Sequence, residues 1–296
     1  MACKHLLGLD GFPLAAARDI FTRSARYKAE RGTAAAGRPL AGQTWALLFS
    51  KSSTRTRVSF EVGIREMGGE SLFLSSADIQ LGRGEPIKDT ARVLGRMVHG
   101  AVIRTFAQAD VDEFARFGAI PTVNALTDEE HPCQVLTDIF TFEEKRGPIA
   151  GKRVAFIGDA ACNMGRSWAY AARTFGFQIV FAAPAGYECP VTHGNVVHTA
   201  SPAEAARGAD LLYTDVWISM GKEAESAQRL KDMEPYQINR ALLAEAKPGA
   251  LVLHCLPAYR GKEITEEVLE AHAQDIFDQA ENRLHVQKGV LDWLVR

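Results

Sequence analysis

Hydroxyl and guanidinium groups are concentrated in one short stretch of the chain, Ser-Ser-Thr-Arg-Thr-Arg at 52–57. The apolar run before it, 46–49, predicts a buried strand, and the apolar spacing over 58–67 predicts a helix that Gly68–Gly69 ends. A helix N-terminus presents free backbone N–H groups and a positive dipole, so the neighbouring hydroxyls and arginines suit a phosphate. The alternative is an N-capped helix with solvated arginines. A Walker loop is excluded, because no GxxxxGK[ST] sequence is present.

A second set of polar side chains lies near the ends of other predicted elements. His131 and Gln134, in the sequence His-Pro-Cys-Gln, lie at the start of a predicted helix, and Arg104 ends a predicted strand. Ligands of parallel sheets bind beyond the carboxyl ends of the strands, so we expect these residues to converge with the phosphate site. Histidine and arginine can polarise a carbonyl, and a glutamine oxygen can recognise an NH2 group. The alternative is a histidine that only caps its own helix.

A third set follows two strands predicted in the second half of the chain. Asp215 opens the sequence Asp-Val-Trp-Ile-Ser-Met-Gly and would suit the ammonium group of a ligand, although an aspartate there is also a common helix or turn cap. His254 and Cys255 close another strand and could be taken for a zinc pair. Adjacent strand residues point to opposite faces, which argues against a shared metal. The remaining interpretations are a reactive thiol or a backbone shaped by Pro257.

The composition is that of an ordinary globular protein, with 47% hydrophobic residues among 296 and a net charge of −2. This charge gives no electrostatic case for binding nucleic acid or an anionic membrane. The five cysteines are scattered without a CxxC pair, which predicts reduced thiols rather than a disulfide framework. Neither a signal-peptide pattern nor a run of about 18 apolar residues is present. We therefore predict a soluble, cytoplasmic protein.

Strand and helix patterns alternate along the whole chain, which predicts an α/β protein with two doubly wound parallel-sheet domains. The first domain is predicted at 1–146 and the second at 147–275. The C-terminal helix, 276–296, is expected to pack back on the first domain. The active site is expected in the cleft between the two domains. The polar stretch 75–85 has no periodicity, and a loop of this length is usually functional.

A dinucleotide-binding site is disfavoured by the loop at 158–165. This loop follows a predicted strand and precedes a predicted helix, as a dinucleotide loop would. It does not match GxGxxG, and no acidic residue stands in the expected place on the next strand. A nucleotide-dependent oxidoreductase is therefore the weaker interpretation.

Four motifs in this order resemble the aspartate/ornithine carbamoyltransferase family. They are Ser-Thr-Arg-Thr-Arg at 53–57, His-Pro-Cys-Gln at 131–134, Asp-x-Trp-x-Ser-Met-Gly at 215–221 and His-Cys-Leu-Pro at 254–257. The first two resemble carbamoyltransferases in general, and the last two resemble the ornithine-specific members. The resemblance implies transfer of the carbamoyl group of carbamoyl phosphate to the δ-amine of L-ornithine, in arginine biosynthesis or in reverse in arginine catabolism. It implies no metal and no cofactor.

The same resemblance implies roles for individual residues. The implied catalytic residues are Arg104, His131, Asp215 and Cys255. The residues implied to contact carbamoyl phosphate are Ser53, Thr54, Arg55, Thr56, Gln80, Arg104, His131, Gln134, Cys255, Leu256 and Arg283. The residues implied to contact ornithine are Asn163, Asp215, Ser219 and Met220.

The resemblance also implies an assembly and shows two departures. Family members are usually homotrimers or multiples of trimers, and Gln80 matches a loop residue that reaches the neighbouring subunit's site. Cys162 stands where the family usually has the first of two asparagines, so only Asn163 is carried over. The chain is also short between 187 and 201, which leaves higher assembly states open.

Three other functions stay open at this point. The first is a carbamoyltransferase for another amine, such as putrescine or N-acylated ornithine. The second is the oxidoreductase considered above. The third is a non-catalytic paralogue that only binds ligand.

Overall fold

The computed structural model describes residues 3–75, 84–218 and 225–296. The chain divides into two compact units. The first unit is Met1–Thr137 with Glu281–Arg296, and the second is Asp138–Ala280. These divisions fall within two helices, whereas the sequence analysis places the domain boundaries after residues 146 and 275.

The first unit contains a five-stranded parallel sheet in the order β1-β5-β4-β2-β3. Its strands are β1 (His5–Leu6), β2 (Thr44–Phe49), β3 (Glu70–Ser75), β4 (Gly100–Arg104) and β5 (Thr122–Leu126). The helices that begin in it are α1 (Leu14–Ala29), α2 (Thr54–Glu66), α3 (Ile87–Leu94), α4 (Gln108–Gly118) and α5 (Pro132–Arg146). The strands β2, β4 and β5 are almost entirely buried, because helices cover parallel sheets on both faces.

The second unit contains a five-stranded parallel sheet in the order β10-β9-β6-β7-β8. Its strands are β6 (Arg153–Ile157), β7 (Gln178–Ala182), β8 (Val196–Thr199), β9 (Leu211–Thr214) and β10 (Leu251–His254). The remaining helices of the chain are α6 (Asn163–Phe175), α7 (Pro202–Ala206), α8 (Ser226–Met233), α9 (Arg240–Glu245), α10 (Glu266–Ala271) and α11 (Ala273–Val295). Two parallel α/β units confirm the predicted fold class.

Four of these elements have no counterpart in the sequence analysis: β1, β8, α8 and α10. β1 has two residues and β8 is largely exposed, so neither carries the apolar run of a buried strand. The first residues of α8 are mostly polar and were not predicted to form a helix. Its Arg229 is nevertheless buried and donates to Asp159 at 2.6 Å. Among the described residues, no helix is long and apolar enough to cross a membrane.

Candidate active site

The predicted phosphate site is the N-terminus of α2, directly after β2. Ser53 is the N-cap residue, and its Oγ accepts the backbone N–H of Thr56 at 3.3 Å. The Arg55 side chain is half-buried, and within the described ranges no acidic side chain pairs with it. Arg57 instead donates to Glu61 at 2.9 Å. Of the two arginines in the motif, Arg55 is therefore the one that is free to hold an anion.

Arg104 and His131 lie buried in the same unit as this helix end. β4 ends at Arg104 with a register irregularity, and the Arg104 carbonyl accepts the Ser50 N–H at 2.8 Å. Burial, followed by the positive charges of Arg283 and Arg104, holds the pKa of His131 well below its usual value. The imidazole is therefore neutral at physiological pH. It can still donate one hydrogen bond to a carbonyl oxygen.

Arg283 on α11 links two of the predicted site residues. Its Nη1 donates to Gln134 Oε1, and its Nη2 donates to Thr56 Oγ1 at 3.1 Å. The glutamine oxygen that was expected to recognise an NH2 group is thus already engaged by a guanidinium. A carbonyl-type oxygen has two lone pairs, so it can accept two hydrogen bonds. The contact brings α2, α5 and α11 together within the first unit.

Lys51 is a buried cation near the site that the sequence analysis did not single out. It forms an ion pair with Asp128, and its Nζ lies 4.5 Å from the ring centroid of Phe106. The Asp128 N–H also donates to the Phe106 carbonyl at 2.8 Å. These contacts join the turn after β2 to the loop before His131. The only signal in the sequence was a lysine next to the hydroxyl-rich stretch.

The second unit places an acid and a thiol together at the ends of β9 and β10. Asp215 Oδ1 accepts the Val216 N–H at 2.7 Å and the Cys255 Sγ–H at 2.8 Å. Burial raises the pKa of Asp215. Burial, followed by the Asp215 charge, raises the pKa of the Cys255 thiol well above its ordinary value. Cys255 is therefore a protonated hydrogen-bond donor at neutral pH, and its interpretation as a reactive thiol was wrong.

The side chains of His254 and Cys255 are not separated by strand alternation, contrary to the expectation from the sequence. Ligand atoms of Asp215, His254 and Cys255 all lie within 4.8 Å of one another. The alternation of side chains ends with β10 at His254, so it does not separate Cys255 from the histidine. However, His254 Nδ1 accepts the Leu256 N–H at 2.8 Å, and His254 Nε2 lies 3.1 Å from Glu263 Oε1. Both ring nitrogens are thus engaged within the protein, which leaves the imidazole poorly suited to bind a metal.

Asn163 is the first residue of α6, and Cys162 is the N-cap without a side-chain cap hydrogen bond. Burial, followed by the charges of Asp159 and Asp215, raises the pKa of Cys162 well above its usual value. The close approach of this turn requires glycine at 165, because a Cβ there would lie 2.0 Å from the Ala160 carbonyl oxygen. The tight turn thereby brings the start of α6 into the electrostatic surroundings of Asp215.

The remaining predicted residues divide into two groups. Thr54 is exposed at the start of α2, and Leu256 follows β10 with a φ of 59°, in the left-handed region. A non-glycine residue in this region costs about 1–2 kcal/mol and is typical of functional sites. Gln80, Ser219 and Met220 lie outside the described residues.

Comparison with known proteins covers both units. The family description "Aspartate/ornithine carbamoyltransferase, carbamoyl-P binding domain" matches residues 4–144, and the description "Asp/Orn binding domain" of the same family matches residues 150–294. The chain belongs to the aspartate/ornithine carbamoyltransferase family. This confirms the resemblance found in its four motifs.

Within this family the most informative relatives are ornithine carbamoyltransferases. The chain is 56% identical to that of Akkermansia muciniphila over 97% of both chains, and 47% identical to that of Nitrosococcus oceani over 100% of this chain and 98% of the relative. The structure of the anabolic ornithine carbamoyltransferase from Campylobacter jejuni matches 98% of both chains at 40% identity, with a TM-score of 0.91. The Pyrococcus furiosus enzyme matches 98% of this chain and 96% of its own, with the same identity and TM-score.

Proposed function

We propose that this chain transfers the carbamoyl group of carbamoyl phosphate to the δ-amine of L-ornithine, giving L-citrulline and phosphate. The observation that supports this most is the 56% identity over 97% of the chain to an ornithine carbamoyltransferase. We assign carbamoyl phosphate to the predicted domain 1–146 and ornithine to the predicted domain 147–275. Transfer then requires the two ligands to be held next to each other.

In this proposal the leaving phosphate binds at the N-terminus of α2. Ser53, Thr54 and Thr56 offer hydroxyl and backbone donors, and Arg55 supplies the positive charge. Support comes from the N-cap geometry of Ser53 and from the absence of an acidic partner for Arg55 in the described ranges. Hydrogen bonds to a charged group each contribute roughly 1.5–3 kcal/mol, so a few converging donors suffice for a dianion.

The carbamoyl group would lie among Arg104, His131, Arg283 and Gln134. When the amine attacks, negative charge develops on the carbamoyl oxygen, and Arg104 and His131 would donate hydrogen bonds to it. A neutral His131 can do this without giving up its proton. A single such donor typically contributes about 3–4 kcal/mol to transition-state stabilisation. Gln134 and Arg283 would orient the amide of the carbamoyl group.

Ornithine would bind on the second unit, with the Asp215 carboxylate near its ammonium group and Asn163 near its carboxylate. A buried carboxylate whose pKa is raised by burial gains most from a positive partner. We assign Ser219 and Met220 to the same ligand. Cys255 and Leu256 would line the space between the δ-amine and the carbamoyl group, and the Cys255 thiol would hold the Asp215 oxygen in place.

Chemistry then follows from placement of the two substrates. The neutral δ-amine attacks the carbamoyl carbon, the bond to the phosphate oxygen breaks, and phosphate leaves with that electron pair. The departing phosphate takes up the proton that the amine loses, so the products are citrulline and hydrogen phosphate. Holding both reactants in line can supply ~7–11 kcal/mol of the barrier. The proposed reaction therefore needs neither a covalent intermediate nor a metal.

We further propose a cytoplasmic homotrimer, or a multiple of trimers, in which Gln80 reaches the site of a neighbouring subunit. The net charge of −2 supports the expectation of no nucleic-acid and no membrane partner. Arginine biosynthesis is the expected direction, because the 40% identical Campylobacter jejuni enzyme is an anabolic ornithine carbamoyltransferase. The reverse reaction is chemically available to the same groups.

A colorimetric citrulline assay with carbamoyl phosphate, ornithine and a metal chelator tests the proposal. We expect citrulline formation that the chelator does not reduce. Putrescine and N-acetylornithine serve as parallel substrates, and faster product formation with either would replace ornithine in the proposal. No product with any amine, together with binding of carbamoyl phosphate, would indicate a non-catalytic paralogue. NADH fluorescence titration checks the oxidoreductase alternative, for which we expect no binding.

A further inference from the structure

Glu130 directly precedes His131, and its buried carboxylate lies against the N-terminal segment of the chain. Its Oε2 accepts the Leu9 N–H at 2.7 Å, and the backbone of Asp10 hydrogen-bonds to the same carboxylate. The segment fits closely around it, since a Cβ on Gly8 would lie 2.4 Å from Oε1. A buried carboxylate is costly unless it is hydrogen-bonded, so this contact is a specific one.

The loop that carries Glu130 is short and internally hydrogen-bonded. The Thr127 N–H donates to the Glu130 carbonyl at 2.9 Å, and the Glu130 N–H donates to Thr127 Oγ1 at 3.0 Å. Two further bonds hold the N-terminal segment nearby, because the Leu7 carbonyl accepts from Asn124 Nδ2 at 2.9 Å and from Gln108 Nε2 at 3.1 Å. Among these contacts with the N-terminal segment, the one made by the Glu130 carboxylate lies nearest to His131 in the sequence.

We propose that Glu130 is a positioning residue, whose ionised carboxylate holds the loop 127–131 against the N-terminal segment and thereby fixes the imidazole of His131. The inference rests on the proposed function, in which His131 donates to the carbamoyl oxygen. A carboxylate accepts two N–H groups more strongly than a carboxylic acid does, since charge-assisted hydrogen bonds are the stronger ones. Loss of the charge therefore weakens these two hydrogen bonds without removing any side chain.

The surroundings of Glu130 bring the protonation of its carboxylate into the physiological pH range. Burial raises the pKa of Glu130 to about 7; the Leu9 and Asp10 N–H groups oppose this rise, and the negative charges of Asp10 and Glu129 add to it. Asp10 faces it from the N-terminal segment and Glu129 from its own loop. The other charged pair of that loop, Asp128 with Lys51, is internally compensated, and His131 is neutral. As the pH falls through about 7, Glu130 takes up a proton and its hydrogen bonds to the Leu9 and Asp10 N–H groups lose their charge assistance.

Stability changes in the opposite direction, which separates a positioning role from a structural one. Because the folded-state pKa of Glu130 lies above that of an unfolded glutamate, the folded state binds more protons between about pH 4.5 and pH 7. Ionisation of Glu130 therefore lowers the stability of the fold as the pH rises through this window. A residue that served stability alone would be better as glutamine, whereas a positioning residue requires the charge.

The test compares Glu130→Gln with the wild-type protein across the range from about pH 6 to about pH 8.5. We measure kcat/KM for ornithine in both and take their ratio, because the ionisation of the amine substrate is common to both and cancels. The ratio of wild type to variant is expected to be near one at the acid end. It should be about tenfold at the alkaline end, which is the size of effect that a small displacement of a reacting group causes. Its midpoint should lie near pH 7. The loss should fall on kcat rather than on the KM for ornithine.

Glu129→Gln is the matched control, because it removes one carboxylate from the same loop at an exposed position. We expect its ratio to stay within about twofold at every pH, as for other exposed charges. A ratio for Glu130→Gln that does not change with pH overturns the proposal. So does an equal, pH-dependent loss in Glu129→Gln.

Gly8→Ala provides a second variant if Glu130→Gln does not fold. It leaves the charge in place and displaces the carboxylate through the Cβ, so we expect lower kcat at every pH. The amide resonances of Leu9 and Asp10 are an activity-independent readout, because their hydrogen-bond acceptor changes charge: we expect them to shift with a midpoint near pH 7 in the wild type and not in Glu130→Gln. If the wild type forms no citrulline, the proposed function fails. Leu9 and Asp10 resonances that do not shift across the same pH range in the wild type overturn the inference independently.

Discussion

The two units of the chain carry candidate groups of opposite character. The first unit collects positive and neutral donors: the guanidinium groups of Arg55, Arg104 and Arg283 and the uncharged imidazole of His131. The second unit collects a half-buried carboxylate, Asp215, with protonated thiols near it. One set suits an anion with a carbonyl group, and the other suits a ligand with an ammonium group. This difference in charge suits a reaction between an acyl phosphate donor and an amino-acid acceptor.

The two sets also differ in how they are held. In the first unit side chains bind one another across elements far apart in the sequence, as Arg283 does with Gln134 and Thr56. In the second unit Asp215 is held by a neighbouring backbone N–H and by Cys255, at the ends of two paired strands. Substitutions in the first set should therefore affect stability and activity together. Substitutions in the second should affect ligand binding more selectively.

Arg283→Met tests the first half of this contrast and should have the largest effect. The change leaves the buried Gln134 oxygen and Thr56 hydroxyl without their donor, and we expect the free energy of unfolding to fall by roughly 1–3 kcal/mol. Activity should fall by about 10³-fold, because in the proposed function Arg283 also orients the carbamoyl group. Denaturant unfolding and citrulline kinetics measure the two effects.

Arg92→Met is the control for that variant, because Arg92 forms an exposed pair with Asp89 at 3.0 Å. Exposed pairs contribute little, so both quantities should change by less than about 1 kcal/mol. If Arg283→Met lost activity but no stability, the contacts of Arg283 with Gln134 and Thr56 would not stabilise the first unit. The two units would then differ in charge only.

Asp215→Asn tests the second half and should have the next largest effect. The amide keeps the size of the side chain and an oxygen that can accept from Cys255, but the charge for an ammonium group is lost. We expect the KM for ornithine to rise by about 10²-fold, as for a lost close charge pair. The dissociation constant of carbamoyl phosphate, measured by calorimetry, should change by less than about twofold.

Glu245→Gln controls for the change in net charge of the second unit, because Glu245 is exposed and lies 3.8 Å from Arg207. It should leave both constants unchanged. If Asp215→Asn weakened the binding of carbamoyl phosphate and of ornithine equally, the two ligands would not be bound by separate sets of residues.

Much of the fold could be predicted because the strongest signals are local. The apolar runs of β2, β6 and β9 and the helical spacing of α2 and α6 are readable within a dozen residues, and parallel strands buried on both faces give clear runs. β8 could not be found in this way, because an edge strand with exposed side chains lacks such a run. α8 was missed because its polar sequence conceals a buried arginine, whose partner lies 70 positions away.

The candidate site was also predictable only where the signals are local. A strand end indicated Arg104 and a helix start indicated His131, and the charges of Arg283 and Arg104 both act on His131. The bond between Arg283 and Gln134 spans 149 positions, and no local pattern reports such a contact. Glu130 was not singled out from the sequence. Its burial depends on how the N-terminal segment returns to β5, which is a tertiary property.

Cys162→Asn should have the smallest effect and sharpens the comparison within the second unit. Cys162 is the N-cap of α6 but makes no side-chain cap hydrogen bond, whereas asparagine is among the preferred caps. We expect the free energy of unfolding to rise by about 1 kcal/mol. Cys162→Ala is the matched control and should give no increase, because alanine cannot cap. Equal stabilisation by both variants would mean that relief of thiol burial, rather than capping, is responsible. The KM for ornithine should change by less than about threefold in either variant, since Asn163 and Asp215 remain in place.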